Sequence, residues 1–237
     1  LEEDVESDLK IIEQHILYGG DLTIDLDEKY RDIQNHQSIL IKYYHAMVHH
    51  KTKKASQYQR ELFLMIAHLS HYELALLCLV IAKFAYMHNK YQEGYEVISV
   101  LPIEKSPYRH LFLHIMRYRL LCAFKLKNEN EIRMLYPKFR KEAIIQEAYQ
   151  LHQEMQRQYL YYEAELIHPV DMAFKVETLD YLLPNEKEFI LGLSLFHDQR
   201  YETALNHLSM VCHLDMDAMI VYMLTLDKLE HKELIIK

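Results

Sequence analysis

The sequence predicts an all-α chain of stacked helical hairpins, and three observations carry that prediction. Glycine and proline number 4 and 5 in 237 residues, too few for the positive-φ and preset-φ positions that turn-rich β architectures require. Apolar residues return at three- and four-residue steps almost throughout, the spacing of one helix face, and strict alternation is hard to find. Two stretches also repeat one pattern: Leu191-Gly192, Tyr201, Ala204 and Leu208 sit at the same offsets as Ile81-Ala82, Tyr91, Gly94 and Ile98. In each, small residues stand where two antiparallel helices approach closely and larger side chains fill the seam. Such a pair cannot bury its apolar side alone, so neighbours must stack on it.

The elements follow in order. Val5, Leu9, Ile12 and Ile16 form the stripe of a first helix that Gly19-Gly20 ends, and a second helix carries Leu26, Tyr30 and Ile33. A third runs from about Ser38 to His50, with Ile41, Tyr44 and Val48 on one side, and its partner occupies about Lys54 to His68. Tyr72 to His88 is strongly apolar. After a turn at Asn89-Lys90, a helix from Tyr91 to Leu101 follows and Pro102 stops it. The next pair spans Pro107 to Leu126 and Asn130 to about Lys141, with Pro137 bending or shortening its second member. A long helix is expected from about Glu142 to Ile167, ended by His168-Pro169, and then a helix from Asp171 to Leu183. The hairpin within Glu186 to Leu208 and a helix from Asp215 to Glu230 complete the series, with Leu234-Ile235-Ile236 as a cap on the last face or a frayed end.

Composition narrows the function classes. A net charge of −8, from 27 basic and 35 acidic residues, opposes a broad phosphate-binding surface; Lys51-Thr52-Lys53-Lys54 reads as a solvated turn. Cys78, Cys122 and Cys212 lie far apart in apolar runs, as buried small hydrophobes in a reducing cytoplasm do. No apolar run reaches the ~20 residues that span a bilayer, and no signal peptide opens the chain. It begins at Leu1 without a methionine, which fits a removed upstream part.

Catalytic patterns are sparse. His45 and His49, and His110 and His114, stand four apart on one helix face, but Ala46 and Leu111 occupy the place where a zinc protease carries glutamate. Glu165-x-x-His168 is half of a helical di-iron element with no second half. No nucleophile elbow and no glycine-rich phosphate loop occur. The expectation is a binding protein, not an enzyme, with no cofactor and no metal. Tyr159, Tyr161 and Tyr162 read as packing aromatics beside Glu163 and Glu165, not as a base-stacking platform.

In stacked hairpins the first helices line a concave side, and positions beside the packing stripe point into it. Those positions are Tyr43, His45, Leu79, Lys83, Tyr86, Met87, Arg117, Tyr118, Phe189, Leu193, Phe196 and His197. Aromatic, methionine and occasional cationic side chains suit an extended peptide, or else fill the seams between pairs. Lys83, a charge in an otherwise apolar helix, is the strongest single groove candidate.

Residues 186–212, through Leu191, Gly192, Tyr201, Ala204 and Leu208, resemble a tetratricopeptide repeat; residues 74–102 do so through Ala82, Gly94 and Pro102. The resemblance implies a right-handed α-solenoid, with residues 1–237 as one repeat domain forming the C-terminal part of a longer protein. The architecture and the Phe189–Leu208 pair are also similar to the peptide-pheromone-responsive regulators of Gram-positive bacteria (Rgg, PlcR, NprR, Rap and arbitrium-receptor types). That similarity implies a cytoplasmic transcriptional regulator's sensing and dimerisation part. A short peptide or protein segment would sit in the groove, the domain would form a homodimer, and DNA would be met only through a separate N-terminal domain. The chain departs from those receptors in carrying few asparagines, Asn89, Asn128, Asn185 and Asn206 among them. A passive adaptor, and a helical enzyme with an interior metal or acid–base pair, are the other readings.

Overall fold

The computed structural model describes residues 2–19, 26–100 and 108–229. Expectations that fall on Gly20, Leu101, Pro102, Pro107, Glu230 and 234–236 lie outside the described residues. Among those residues are twelve full helices and one four-residue helical turn, packed mainly between neighbours in sequence, as in a helical repeat. The chain divides into two compact units, Leu1–Tyr149 and Gln150–Lys237.

The first unit holds α1 (Glu2–Tyr18), the turn α2 (Leu26–Lys29), α3 (His36–Val48), α4 (Thr52–Leu64), α5 (His71–Met87), α6 (Tyr91–Val100), α7 (Arg109–Lys125) and α8 (Glu129–Ile145). A 3-10 turn, Ile66–His68, follows α4. Three hairpins pair α3 with α4, α5 with α6, and α7 with α8, while α3 packs on α5 and α5 on α7. The second unit is built from α9 (Tyr149–Ala164, whose first residue closes the first unit), α10 (Pro169–Glu177), α11 (Pro184–His197), α12 (Tyr201–Ser209) and α13 (Met216–Lys228). There α11 pairs with α12, α10 rests on α11, and α13 packs on both members of the pair. Its core gathers Leu160, Met172, Val176, Phe189, Ile190, Ala204, Leu208 and Ala218.

The helix starts are written in capping chemistry. Ser70 accepts from the Glu73 amide while Glu73 accepts from the Ser70 amide, so both orphan donors at the start of α5 are satisfied. Asn35 and Ser38 do the same for α3, which therefore begins at His36; Ser38, expected near the helix start, is the third residue inside it. The preceding helix ends before His168-Pro169 as expected, and Pro169 also opens α10 at its first position, where a missing amide costs nothing.

Five turns share one geometry. After α3, α5, α7, α8 and α11 the second turn residue takes positive φ: His50, Asn89, Lys127, Glu147 and Gln199, between 53° and 62°. The residue after each donates its amide back across the turn: Lys51 to Ala46, Lys90 to Ala85, Asn128 to Ala123, Ala148 to Ala143 and Arg200 to Leu195, at 2.8–3.0 Å. This is the Schellman closure, in which a left-handed residue lets the chain satisfy its last carbonyls and reverse. One such turn corrects a sequence expectation. The helix expected from Glu142 to Ile167 is two helices, because the chain closes at Gln146-Glu147-Ala148 before α9 begins. Nor does Pro137 shorten α8, which runs to Ile145 on a buried stripe of Ile132, Leu135, Phe139 and Ala143. Leu26 and Tyr30 are buried as expected, yet helical geometry there covers only Leu26–Lys29.

Candidate functional site

The row formed by α3, α5 and α7 is the surface on which a ligand was expected, and α1 lies on α3 and α5 of it. The stripe Val5, Leu9, Ile12 and Ile16 is buried. Around that apolar seam stand polar contacts aimed at α1. Glu13 receives the Tyr72 hydroxyl of α5 at 2.6 Å and lies 2.9 Å from His110 Nε2 of α7. Lys83 donates to the Ile16 carbonyl at 2.7 Å, placing a cation on the negative end of the α1 dipole. His15 and the Tyr44 hydroxyl of α3 are hydrogen-bonded. In its second turn α1 is tied by Asp8, which accepts from Lys29 at 2.5 Å and from the Tyr30 hydroxyl at 2.6 Å.

Residues 2–18 carry six acidic side chains (Glu2, Glu3, Asp4, Glu6, Asp8, Glu13) against Lys10, and Lys83 and His110 of the row meet this helix at the Ile16 carbonyl and the Glu13 carboxylate. Burial first, and then the Arg117 charge, holds the Lys83 ammonium below its ordinary range. Burial, with Arg117, His110 and Lys83 behind it, lowers His114 to about 4. The Tyr72 phenol is pushed up by burial and by its bond to Glu13.

The expected groove residues divide among several places. Lys83 and Arg117 share one electrostatic neighbourhood on the row; Arg117 stands 5.1 Å over the Tyr118 ring, and Tyr118 meets Tyr86 at 6.1 Å. Leu79 is a core residue, His45 is buried with its ring 4.2 Å from His49, and Met87 is exposed. Tyr43 is buried and lines a separate cleft between the α3–α4 and α5–α6 hairpins. In the second unit Phe189 meets Tyr161 and belongs to the core with Leu193, Phe196 packs on Tyr201, and His197 lies 3.8 Å from Glu165. Sequence reasoning missed Tyr72, Glu13 and His110 as a group, since nothing in their spacing shows that α1 folds back 59 and 97 residues away.

Among the described residues no group of three or more histidine, cysteine, aspartate or glutamate side chains is placed to hold a metal. His168 instead accepts from the Val170 amide at the start of α10. All three cysteines are free; burial pushes the Cys78 thiol up to about 12 and Cys122 up to about 11. No helix of the described residues is long and apolar enough to cross a membrane. Comparison with protein-family models, with curated proteins and with solved structures finds no match for this chain.

Proposed function

We propose that the first unit is a peptide-recognition module whose α3–α5–α7 row takes an acidic amphipathic helix, and that α1 is the segment seated there in the free chain. The observation that carries this reading is the Lys83 ammonium on the Ile16 carbonyl in the last turn of α1, with Glu13 gripped from two helices. A helix laid in a groove is read by an apolar stripe plus a few placed charges, and α1 has both. Such a module senses rather than merely gathers partners: α1 docked and α1 displaced are two states, and a ligand that prefers one shifts the balance. A passive adaptor needs no such self-ligand. The sensing part of a larger regulator is the role this suits best.

A labelled peptide of residues 1–19 tests the proposal against the full chain carrying Leu9→Ser and Ile12→Ser, which loosen its own α1. The loosened chain is expected to capture the peptide at least tenfold more tightly than the wild type. A peptide with Glu13→Lys is expected to bind weakly to either. Equal binding by both chains, or no binding by a loosened chain that retains its helical circular dichroism, rules the reading out.

A further inference from the structure

A cleft opens between the α3–α4 and α5–α6 hairpins, away from the α1 contacts, with a volume of about 240 Å³. Its floor is apolar and small: Ala46, Ala55, Ile81 and Ala85, with Phe84 beside them. Ala55, at 4% exposed, is where a larger residue on α4 would close the gap. Two further features make it more than loose packing. Tyr43 is 2% exposed and lines the cleft. Its hydroxyl oxygen is a polar atom on a mostly apolar wall, able to accept from a donor placed opposite it. Glu93 also lines the cleft and acts on the Tyr43 phenol, which burial first and this carboxylate second push above its ordinary range. That carboxylate pairs with Lys90, 3.2 Å away, and both side chains are more than half exposed, so the pair is weak and exchangeable.

We infer that this cleft binds a small aromatic amine, its ring on the alanine floor against Phe84 and its ammonium between Glu93 and the Tyr43 oxygen. The size fits: an apolar cavity of about 150 Å³ holds a benzene ring, which leaves room here for a ring and a short chain. The walls fit as well. Phe84, His88 and His50 all line the cleft, with Phe84 stacked on His88 and His50 edge-on to it, so an aromatic wall is available to a cation. Glu93 repels a carboxylate from the same place, and a neutral ring gains the floor without the charged contact. Lys90, His50 and His88 on the rim are the groups that favour an anion, so the choice between amine and acid is what the test must read.

The probe is 2-phenylethylamine, with 2-phenylethanol and phenylacetate as comparators, titrated calorimetrically into the full-length chain. The amine is expected to bind at least tenfold more tightly than either comparator. Glu93→Gln, an exposed substitution, is expected to remove that preference, Tyr43→Phe to weaken the amine several-fold, and Ala55→Leu to abolish binding. Lys83→Met, on the α1 row, should leave amine affinity unchanged, which separates this site from the module proposed above. The inference is overturned by an absence of saturable amine binding to the wild type, by undiminished binding in Glu93→Gln, or by phenylacetate binding as well as the amine.

Discussion

At the scale of single residues, the charges held by the first unit set its response to acid. His114 titrates near 4 in the folded chain and near 6.5 when unfolded. Between those values the unfolded chain takes up a proton that the folded chain refuses, so stability falls as pH drops through that window. It is fully retained above pH 6.5. The linked loss is about 2–3 kcal/mol once pH reaches 4. His114→Gln should remove that part of the decline: urea midpoints of the two proteins should converge as pH falls from 7 to 4, and parallel curves would refute the assignment. Backbone strain is also set residue by residue. Lys127 and Glu147 occupy left-handed conformations that cost a side-chain-bearing residue about 1 kcal/mol. Lys127→Gly and Glu147→Gly should each raise the melting temperature by about 2–4 °C, whereas glycine at an ordinary helical site would lower it.

Helix pairs are where sequence and structure agree best. Gly192 and Gly94 were legible as points of close approach because their neighbours repeat at one spacing, and the structure gives the reason. A Cβ at Gly94 would lie 2.5 Å from Ala85 Cβ, and one at Gly192 would lie 2.7 Å from Leu208 Cγ. The Ala85 methyl is fixed to its helix, while the Leu208 side chain has rotamers to explore. Gly94→Ala is therefore expected to cost about 1–3 kcal/mol through overpacking, net of the helix propensity that alanine brings. Gly192→Ala should cost less, and denaturant unfolding of the two variants checks the order. Some elements were not legible. Gln146-Glu147-Ala148 contains no glycine, proline or asparagine, so the apolar rhythm reads straight through the break between α8 and α9. The usable signal was an alanine five residues before the turn closes, shared by Ala46, Ala85, Ala123 and Ala143. The start of α3 was misplaced for a related reason: Ser38 looks like a first cap, but it is the returning partner of Asn35.

Across the molecule as a whole, the sequence marks Lys83 as unusual and is silent about what covers it. Lys83 stands out in the sequence because a cation in α5 needs a partner. The partner is a carbonyl 67 residues earlier, and no local pattern announces a contact of that range. Lys83→Met should loosen α1 selectively. Hydrogen exchange over residues 2–18 is expected to accelerate by about tenfold, as loss of a contact worth ~1.4 kcal/mol would give, while α5 and α7 remain protected. Uniform acceleration through all the helices would mean that Lys83 holds the core together rather than α1.

The half-sunken amine at position 83 has one more use. Its ammonium is bonded to the Ile16 carbonyl and half buried beneath α1, so the docked helix shields it. Acylating reagents should therefore modify it late in the resting chain and early once that cover lifts. Mass-spectrometric timing of this one modification, with the other lysines as internal standards, would serve as a clock for the cover's departure.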